Sequence, residues 1–316
     1  MKFLGIDTSC YTTSAAIVDE NENVLKNVKV ILTVKDGERG IRQSDAVFLH
    51  IKNMPGVFFS IGALNDLHAV SSSEAPRPVE GSYMPVFKVS ESYAKVIAGL
   101  NGIKYYPSTH QHGHLYSAMI GNGVLNGEYL CCHISGGTTE VFKAGILNGI
   151  VNEIVHIGGT KDITCGQLID RAGVLLKLPF PCGGHMEKLL PKGNMPASVK
   201  PLPITVDGVA ANLSGAETYV INYIKQGIKK DILSKLVFDC CAKTICRLIS
   251  NASIETGIAD VILFGGVCSS DYIKDTIKKD LDQTNINTIF ANKEYSADNA
   301  AGLALMAKRL YFKEKQ

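Results

Sequence analysis

With 316 residues the chain is longer than a single core usually grows, so two domains are expected. Its 32 Lys+Arg stand against 30 Asp+Glu, which excludes a dominant electrostatic footprint for nucleic acid while leaving a local patch open. The nine cysteines lack CxxC spacing and include the adjacent pairs Cys131-Cys132 and Cys240-Cys241, so they read as reduced apolar filler and not as bridges.

Residues 2 to 6 form a short apolar run that predicts a buried strand. Asp7 follows too early for a signal peptide, and no apolar run approaches a membrane span, so a cytoplasmic protein without membrane contact is expected. The run breaks at Asp7-Thr8-Ser9-Cys10-Tyr11-Thr12-Thr13 and resumes with Ser14 to Val18. Strand, small polar loop and strand make a hairpin whose hydroxyls and N–H groups suit a phosphate, although an ordinary hairpin is commoner. Asp7, at the end of the strand, is placed to hold a metal or its water.

A helix is predicted from about Ser44 to Met54, stopped by Pro55, and Ser71 to Gly81 reads as a loop by composition. A second helix runs from about Ser90 to Leu100 and ends at Asn101-Gly102. Next comes Ser108 to Ala118, where three of the eight histidines fall within five residues. If Thr109 opens a helix, His110 and His114 share a face and His112 points away. Read as a strand, all three share a face. Leu115 to Ile120 favour the helix, ending at Gly121-Asn122-Gly123. Two imidazoles on one helical face can grip a divalent ion with an oxygen ligand from elsewhere, but the spacing alone is weak evidence.

The first pattern then returns. Tyr129 to Ile134 is a buried run, Ser135-Gly136-Gly137-Thr138-Thr139 a polar turn, and Glu140 to Gly145 a second strand. Ile6-Asp7 matches Ile134-Ser135, and Thr12-Thr13 matches Thr138-Thr139, which suggests duplicated halves around a shared cleft. Gly136-Gly137 lets a backbone approach a ligand closely. Helices are predicted from about Ile163 to Leu176, after the turn Phe180 to His185, from Ala216 to Gln226 behind an Asn212-Leu213-Ser214-Gly215 cap, and from Ile232 to Ser253. Pro191 to Pro203 is a loop. Asp260 to Phe264 is a strand, Gly265 to Ser270 a glycine loop and Asp271 to Lys279 a helix, a sequence that presents N–H groups to a nucleotide. A strand (Ile286 to Phe290) and a helix from Asp298 or Asn299 to Leu310 close the chain; a cap is the plain reading of Asp298.

These pieces, in this order, resemble the TsaD/Gcp/Kae family of the actin–hexokinase–Hsp70 ATPase superfamily, over nearly the whole chain. Gly5-Ile6-Asp7-Thr8-Ser9 resembles its opening motif, and His110 and His114 its paired metal histidines. Ile134 to Thr139 is similar to its Ser-Gly-Gly-His-Thr hairpin, and Asp162 through Gly166 to Asp170-Arg171 to its paired-aspartate helix. Ser214-Gly215, Gly265-Gly266-Val267 and Asp298-Asn299-Ala300-Ala301 resemble its later motifs, the last supplying the third metal ligand.

The resemblance implies an α/β protein of actin-like ATPase (ASKHA) fold, with two duplicated RNase H-like domains around a central cleft. The lobes would be 1–125 plus about 296–316, and 126–295. It implies a transferase that carries threonylcarbamoyl from threonylcarbamoyl-AMP to N6 of adenine beside the tRNA anticodon. One divalent ion, zinc or iron(II), would sit on His110, His114 and Asp298, with no catalytic side chain beyond that site. Asp7, Ser135, Gly136, Gly137, Thr138, Asp162, Gly166, Asp170, Gly183, Gly184, Gly265, Gly266 and Ser270 would contact the adenine nucleotide, ATP/ADP or acyl-AMP. Implied partners are tRNA and either TsaB/TsaE-like proteins or a second copy.

Several positions depart from the pattern. Ser71 to Pro85 lacks the family's Gly-Pro-Gly, Ile163 replaces the second paired aspartate, and Gln43-Ser44 replaces a Pro-Glu pair. Glu217 replaces a lysine, Ser270 an asparagine, and Phe180 to His185 a Tyr-Pro-Gly-Gly-Pro turn. These changes leave two alternatives: a divergent paralogue making another carbamoyl-type transfer, and a non-catalytic nucleotide-binding partner subunit. A peptidase is disfavoured, because the histidine stretch lacks the glutamate of His-Glu-x-x-His.

Overall fold

The computed structural model describes every residue except 10, 35–39, 192, 194 and 197. Cys10 of the first hairpin loop, and three positions of the predicted Pro191 to Pro203 loop, therefore lie outside the described residues. The first half contains β1 (Lys2–Thr8), β2 (Thr12–Asp19), β3 (Val24–Ile31), α1 (Gln43–Ile61), β4 (Leu67–Ala75), α2 (Phe87–Asn101), β5 (Lys104–Thr109) and α3 (His110–Met119). The second begins with β6 (Gly127–Ile134), β7 (Thr139–Leu147), β8 (Ile150–Thr160), α4 (Cys165–Leu175) and α5 (Gly183–Glu187). It continues with β9 (Thr205–Asp207), β10 (Ala210–Asn212), α6 (Ser214–Lys225), α7 (Lys230–Thr256) and β11 (Asp260–Phe264). A 3-10 turn (Gly266–Ser269), α8 (Asp271–Leu281), β12 (Asn287–Phe290), α9 (Lys293–Ser296) and α10 (Ala301–Lys313) follow.

One sheet runs β3-β2-β1-β4-β5, with antiparallel pairs on one side of β1 and parallel pairs on the other. The other runs β12-β11-β6-β7-β8-β10-β9. Its β8-β7-β6-β11-β12 portion repeats the first sheet's order and directions, so the echo between the two hairpins reflects duplicated topology.

Alternation along β1 explains its central place. Leu4 and Ile6 pack into a core with α1 and α2, while Phe3 packs on the opposite face with Tyr311 and Phe312. Gly5 lies under α10, and a Cβ there would stand 2.2 Å from the Ala300 carbonyl, so only glycine allows this approach. A separate core of Leu115, Tyr116, Cys131, Phe142, Phe264 and Leu305 joins residues of α3 and α10 to the second sheet. The largest core fills the outer side of that sheet around α4, α7 and α8. All eight described cysteines, from Cys131 to Cys268, are buried and unpaired, as apolar filler would be. None of the described helices is long and apolar enough to cross a membrane.

Four local expectations change. Pro55 does not stop α1 but sits inside it, on the exposed side, as does Ile51, whose carbonyl it frees. Ser71 to Ala75 is not loop but the end of central strand β4. Its small buried serines let helices pack on the sheet, and Ser72 and Ser73 find hydroxyl and carboxylate partners in Tyr105 and Asp7. The Asn212 to Gly215 stretch stands at the start of α6 but supplies no side-chain cap; the Asp162 carboxylate takes the N–H groups of Leu213 and Ser214 at 2.8 and 2.9 Å instead. Asp298 lies ahead of α10 and caps nothing there; Asn299 accepts from the Ala301 N–H at 2.9 Å instead.

Candidate metal centre

Thr109 ends β5 in extended backbone, and its hydroxyl accepts the His112 N–H at 3.3 Å, so the chain turns directly into α3. The helical alternative for the histidine stretch is therefore the one adopted. His110 and His114 stand one turn apart, His110 against Asp7 of β1 and His114 against His133 of β6. His112 turns back to Thr109, with Nδ1 2.8 Å from its hydroxyl, and burial pushes its imidazole down to about 4.

The segment before α10 delivers Asp298 to the same place. His114 Nε2 lies 3.1 Å from Asp298 Oδ1 and 3.1 Å from His110 Nε2, and His110 Nε2 is 3.6 Å from Oδ1. The three residues offer ligand atoms that all fall within 4.8 Å of one another. Two imidazole lone pairs and a carboxylate oxygen facing one point are a donor set that suits zinc or iron(II).

A second layer of polar groups stands behind His110 and Asp298. His110 Nδ1–H donates to Asp7 at 3.1 and 3.2 Å, and Asp7 is itself fixed by the Ser73 hydroxyl. Burial pushes the His110 imidazole down, but the Asp7 and Asp298 carboxylates outweigh it and hold it well above the ordinary value. Burial works to raise Asp298, yet the two histidines hold it well below the usual carboxylate range. The Ser9 hydroxyl donates to Asp298 Oδ2 at 2.7 Å. Ser9 is held in turn by His50 on α1, whose Nε2–H donates to the Ser9 carbonyl at 2.7 Å while Nδ1 accepts from Thr13 at 2.8 Å. His133, on β6, packs its ring 4.5 Å from that of His114, and burial holds its imidazole well below the ordinary value.

The remaining predicted residues line the ends of β6 and β11 and the helices beside them. The Ser135–Thr138 turn closes on itself through a 2.8 Å backbone bond and docks on α4 where Thr164 donates to the Gly136 carbonyl at 2.9 Å. The glycines separate into two kinds. Gly166 and Gly265 are required by the fold, since a Cβ would strike the Ser135 and Ile134 carbonyls at 2.4 and 2.3 Å. Gly136, Gly137, Gly184 and Gly266 face open space, and Gly183 has only ordinary contact room beside Ile169. Gly265 also ties this wall to the segment that carries Asp298, its N–H donating to the Ser296 carbonyl at 2.9 Å. Asp162 caps α6 as described; burial opposes ionisation, but the Ser214 and backbone hydrogen bonds lower its carboxyl. Asp170 accepts the Cys182 N–H at 2.8 Å, and its burial raises its carboxyl. Ser270 caps α8 and donates to Glu187 at 2.7 Å. Glu217 forms an ion pair with Arg171 at 2.8 Å.

Across the divide, Glu140 of β7 pairs with Arg77 from the segment after β4 and accepts from Gln111 of α3 at 3.3 Å. Sequence reasoning missed Ser9, His50, Ser73, Arg77, Gln111, His133, Glu140 and Glu187 as parts of the site. Of these, Ser9 falls within the opening motif Gly5-Ile6-Asp7-Thr8-Ser9.

Comparison with known proteins identifies the family and the fold. The family model described as TsaD, tRNA N6-adenosine threonylcarbamoyltransferase, matches residues 62–305. The chain is similar to a tRNA N6-adenosine threonylcarbamoyltransferase of Treponema denticola, with 26% identity over 96% of this chain and 90% of that one. A second relative of the same description, from Mesoplasma florum, is 28% identical over 97% of this chain and 98% of that one. Among solved structures, the activator of 2-hydroxyisocaproyl-CoA dehydratase from Clostridium difficile, with bound ADPNP, superposes with a TM-score of 0.57. At 13% identity over 100% of this chain and 97% of that one, it shows the fold alone, the actin-like ATPase fold.

Proposed function

The chain belongs to the TsaD family of tRNA N6-adenosine threonylcarbamoyltransferases, and from this we propose that it transfers threonylcarbamoyl from threonylcarbamoyl-AMP to N6 of the adenine beside a tRNA anticodon. The observation that carries the reading is the convergence of His110, His114 and Asp298 beside a wall of open glycines. These three residues would hold one divalent ion, which when bound supplies Lewis-acid polarisation and a template for carbonyl and phosphate. In the transfer the N6 amine attacks the carbamoyl carbon and a C–N bond forms. The C–O bond to the phosphate breaks, AMP leaves with its electron pair, and a proton leaves N6.

This chain's own part is placement, with no side-chain nucleophile required. Asp7 keeps a proton on His110 Nδ1 and so turns Nε2 inward, and Ser9 fixes the outer oxygen of Asp298. Gly136, Gly137, Gly184 and Gly266 leave room for nucleotide to lie against backbone N–H groups. Ser135, Thr138, Asp162, Asp170, Gly183 and Ser270 border the same wall and are assigned to it. The two lobes are taken as 1–125 plus about 296–316, and 126–295. A TsaB-like partner or a second copy is supported by the uncovered apolar face of α1 and α2, where Phe48, Ile51, Phe59, Val96 and Leu100 are exposed.

One observation favours a second reading, transfer of a related carbamoyl-type group. Glu217 and Ser270, which stand where the family has lysine and asparagine, are both engaged by this chain's own Arg171 and Glu187. The test is to incubate the metal-loaded protein with threonylcarbamoyl-AMP and tRNA and detect the modified nucleoside by mass spectrometry. Product that disappears, together with bound metal, in His110→Ala/His114→Ala supports the first reading. A metal-loaded protein that binds AMP without forming product moves the assignment to the second.

A further inference from the structure

His114 presents Nε2 to Asp298 and His110, so when that nitrogen serves a cation the ring proton sits on Nδ1. Nδ1 of His114 is buried without a hydrogen-bond partner. A ligating imidazole almost always donates its second N–H, which fixes the tautomer and the ring plane. His110 has Asp7 for this purpose. No carboxylate bonds His114 Nδ1, and another histidine whose ring packs on His114 also carries an unsatisfied buried nitrogen.

His133 is 4% exposed, and its Nε2 is also buried and unpartnered. Its ring lies 4.5 Å from that of His114, inclined at 45°. Phe264 stacks under both rings, at 5.2 Å from His133 and 5.9 Å from His114. Gly265 closes the other side, where a Cβ would come 3.0 Å from His133 Cδ2. His133 is therefore clamped beside His114, and each ring carries one buried nitrogen that lacks what the other can provide.

We propose that His133 is the positioning residue of His114: its Nε2 accepts the His114 Nδ1–H, directly after a small ring rotation or through one water, and so fixes Nε2 of His114 on the metal. His133 is not itself a ligand, since its nitrogens fall outside the group formed by His110, His114 and Asp298. The inference rests on the reading of those three as metal ligands.

The test uses cobalt(II) as the probe on the full chain, comparing the parent with His133→Leu, which removes the acceptor, and His133→Gln, which restores an amide oxygen. Affinity is read by competition with a chromophoric chelator, and coordination by the d–d spectrum. The expected result is a loss of about 10–100-fold in affinity for His133→Leu, with coordination number unchanged and most of the loss recovered in His133→Gln. If His133→Leu fails to fold, His133→Phe replaces it in the comparison. Equal cobalt affinity in the parent and the apolar variant overturns the inference alone. A changed coordination number in that variant makes His133 a ligand and overturns it as well. A parent that holds no cobalt overturns the metal reading and the inference together.

Discussion

Asp7 joins two parts of the chain that share no sequence neighbourhood. It ends β1, is almost wholly buried, and spends its oxygens on Ser73 and on His110. A carboxylate behind a ligating imidazole raises its basicity and locks its orientation. Asp7→Asn keeps the shape but removes the charge, and metal affinity is expected to fall by about 10–100-fold while the fold persists. Chelator competition measures this; an affinity equal to the parent's would show that Asp7 serves the fold alone. The convergence of His110, His114 and Asp298 was legible, since a four-residue spacing and a terminal motif are local features. The residues behind them were not. The Ser9 to Asp298 bond spans 289 positions, and the opening motif that contains Ser9 says nothing of where its hydroxyl reaches.

At the scale of elements, the site depends on how closely α10 meets α3. A Cβ on Gly302 would stand 2.0 Å from the Gly113 carbonyl and 2.4 Å from the Ser117 N–H, so these backbones touch. Gly302→Ala must push α10 outward, at an expected cost of about 1–3 kcal/mol. Because Asp298 rides just ahead of α10, metal affinity should fall along with the thermal midpoint. Unchanged affinity in a destabilised variant would mean that Ser9, and not the helix crossing, holds Asp298. Most elements could be read from apolar periodicity and glycine stops, as α7 and β11 show. Pro55 and the Ser71–Ala75 segment misled for one reason: residue type gave the local preference, and packing against neighbours overrode it.

Across the whole molecule, the repeated strand order was visible only as two short hairpins that echo each other, because topology leaves its mark where loops must be alike. The contact of Arg77 and Gln111 with Glu140 had no such mark. Burial raises the Glu140 carboxyl against the pull of Arg77, so the folded state holds that proton more tightly than the unfolded chain does. Stability from this group is therefore present at low pH and declines as pH rises through the folded value. Arg77→Ala removes the restraint and leaves Gln111 as the partner among those described. The difference in thermal midpoint between parent and variant should be small near about pH 4 and widen toward about pH 7. A difference that stays constant across that range would place the effect of Arg77 in packing and not in charge.

The placement of the thiols gives the second sheet a clock of its own. All eight described cysteines lie between positions 131 and 268, and burial raises several of their thiols, Cys182, Cys240 and Cys246 to about 12. Such sulfurs react with alkylating reagents only when the surrounding structure opens. Counting labelled thiols against time by intact-mass measurement thus reads how often that half of the protein breathes. Slower labelling when AMP is added would reveal, without any catalytic assay, that the ligand grips this half.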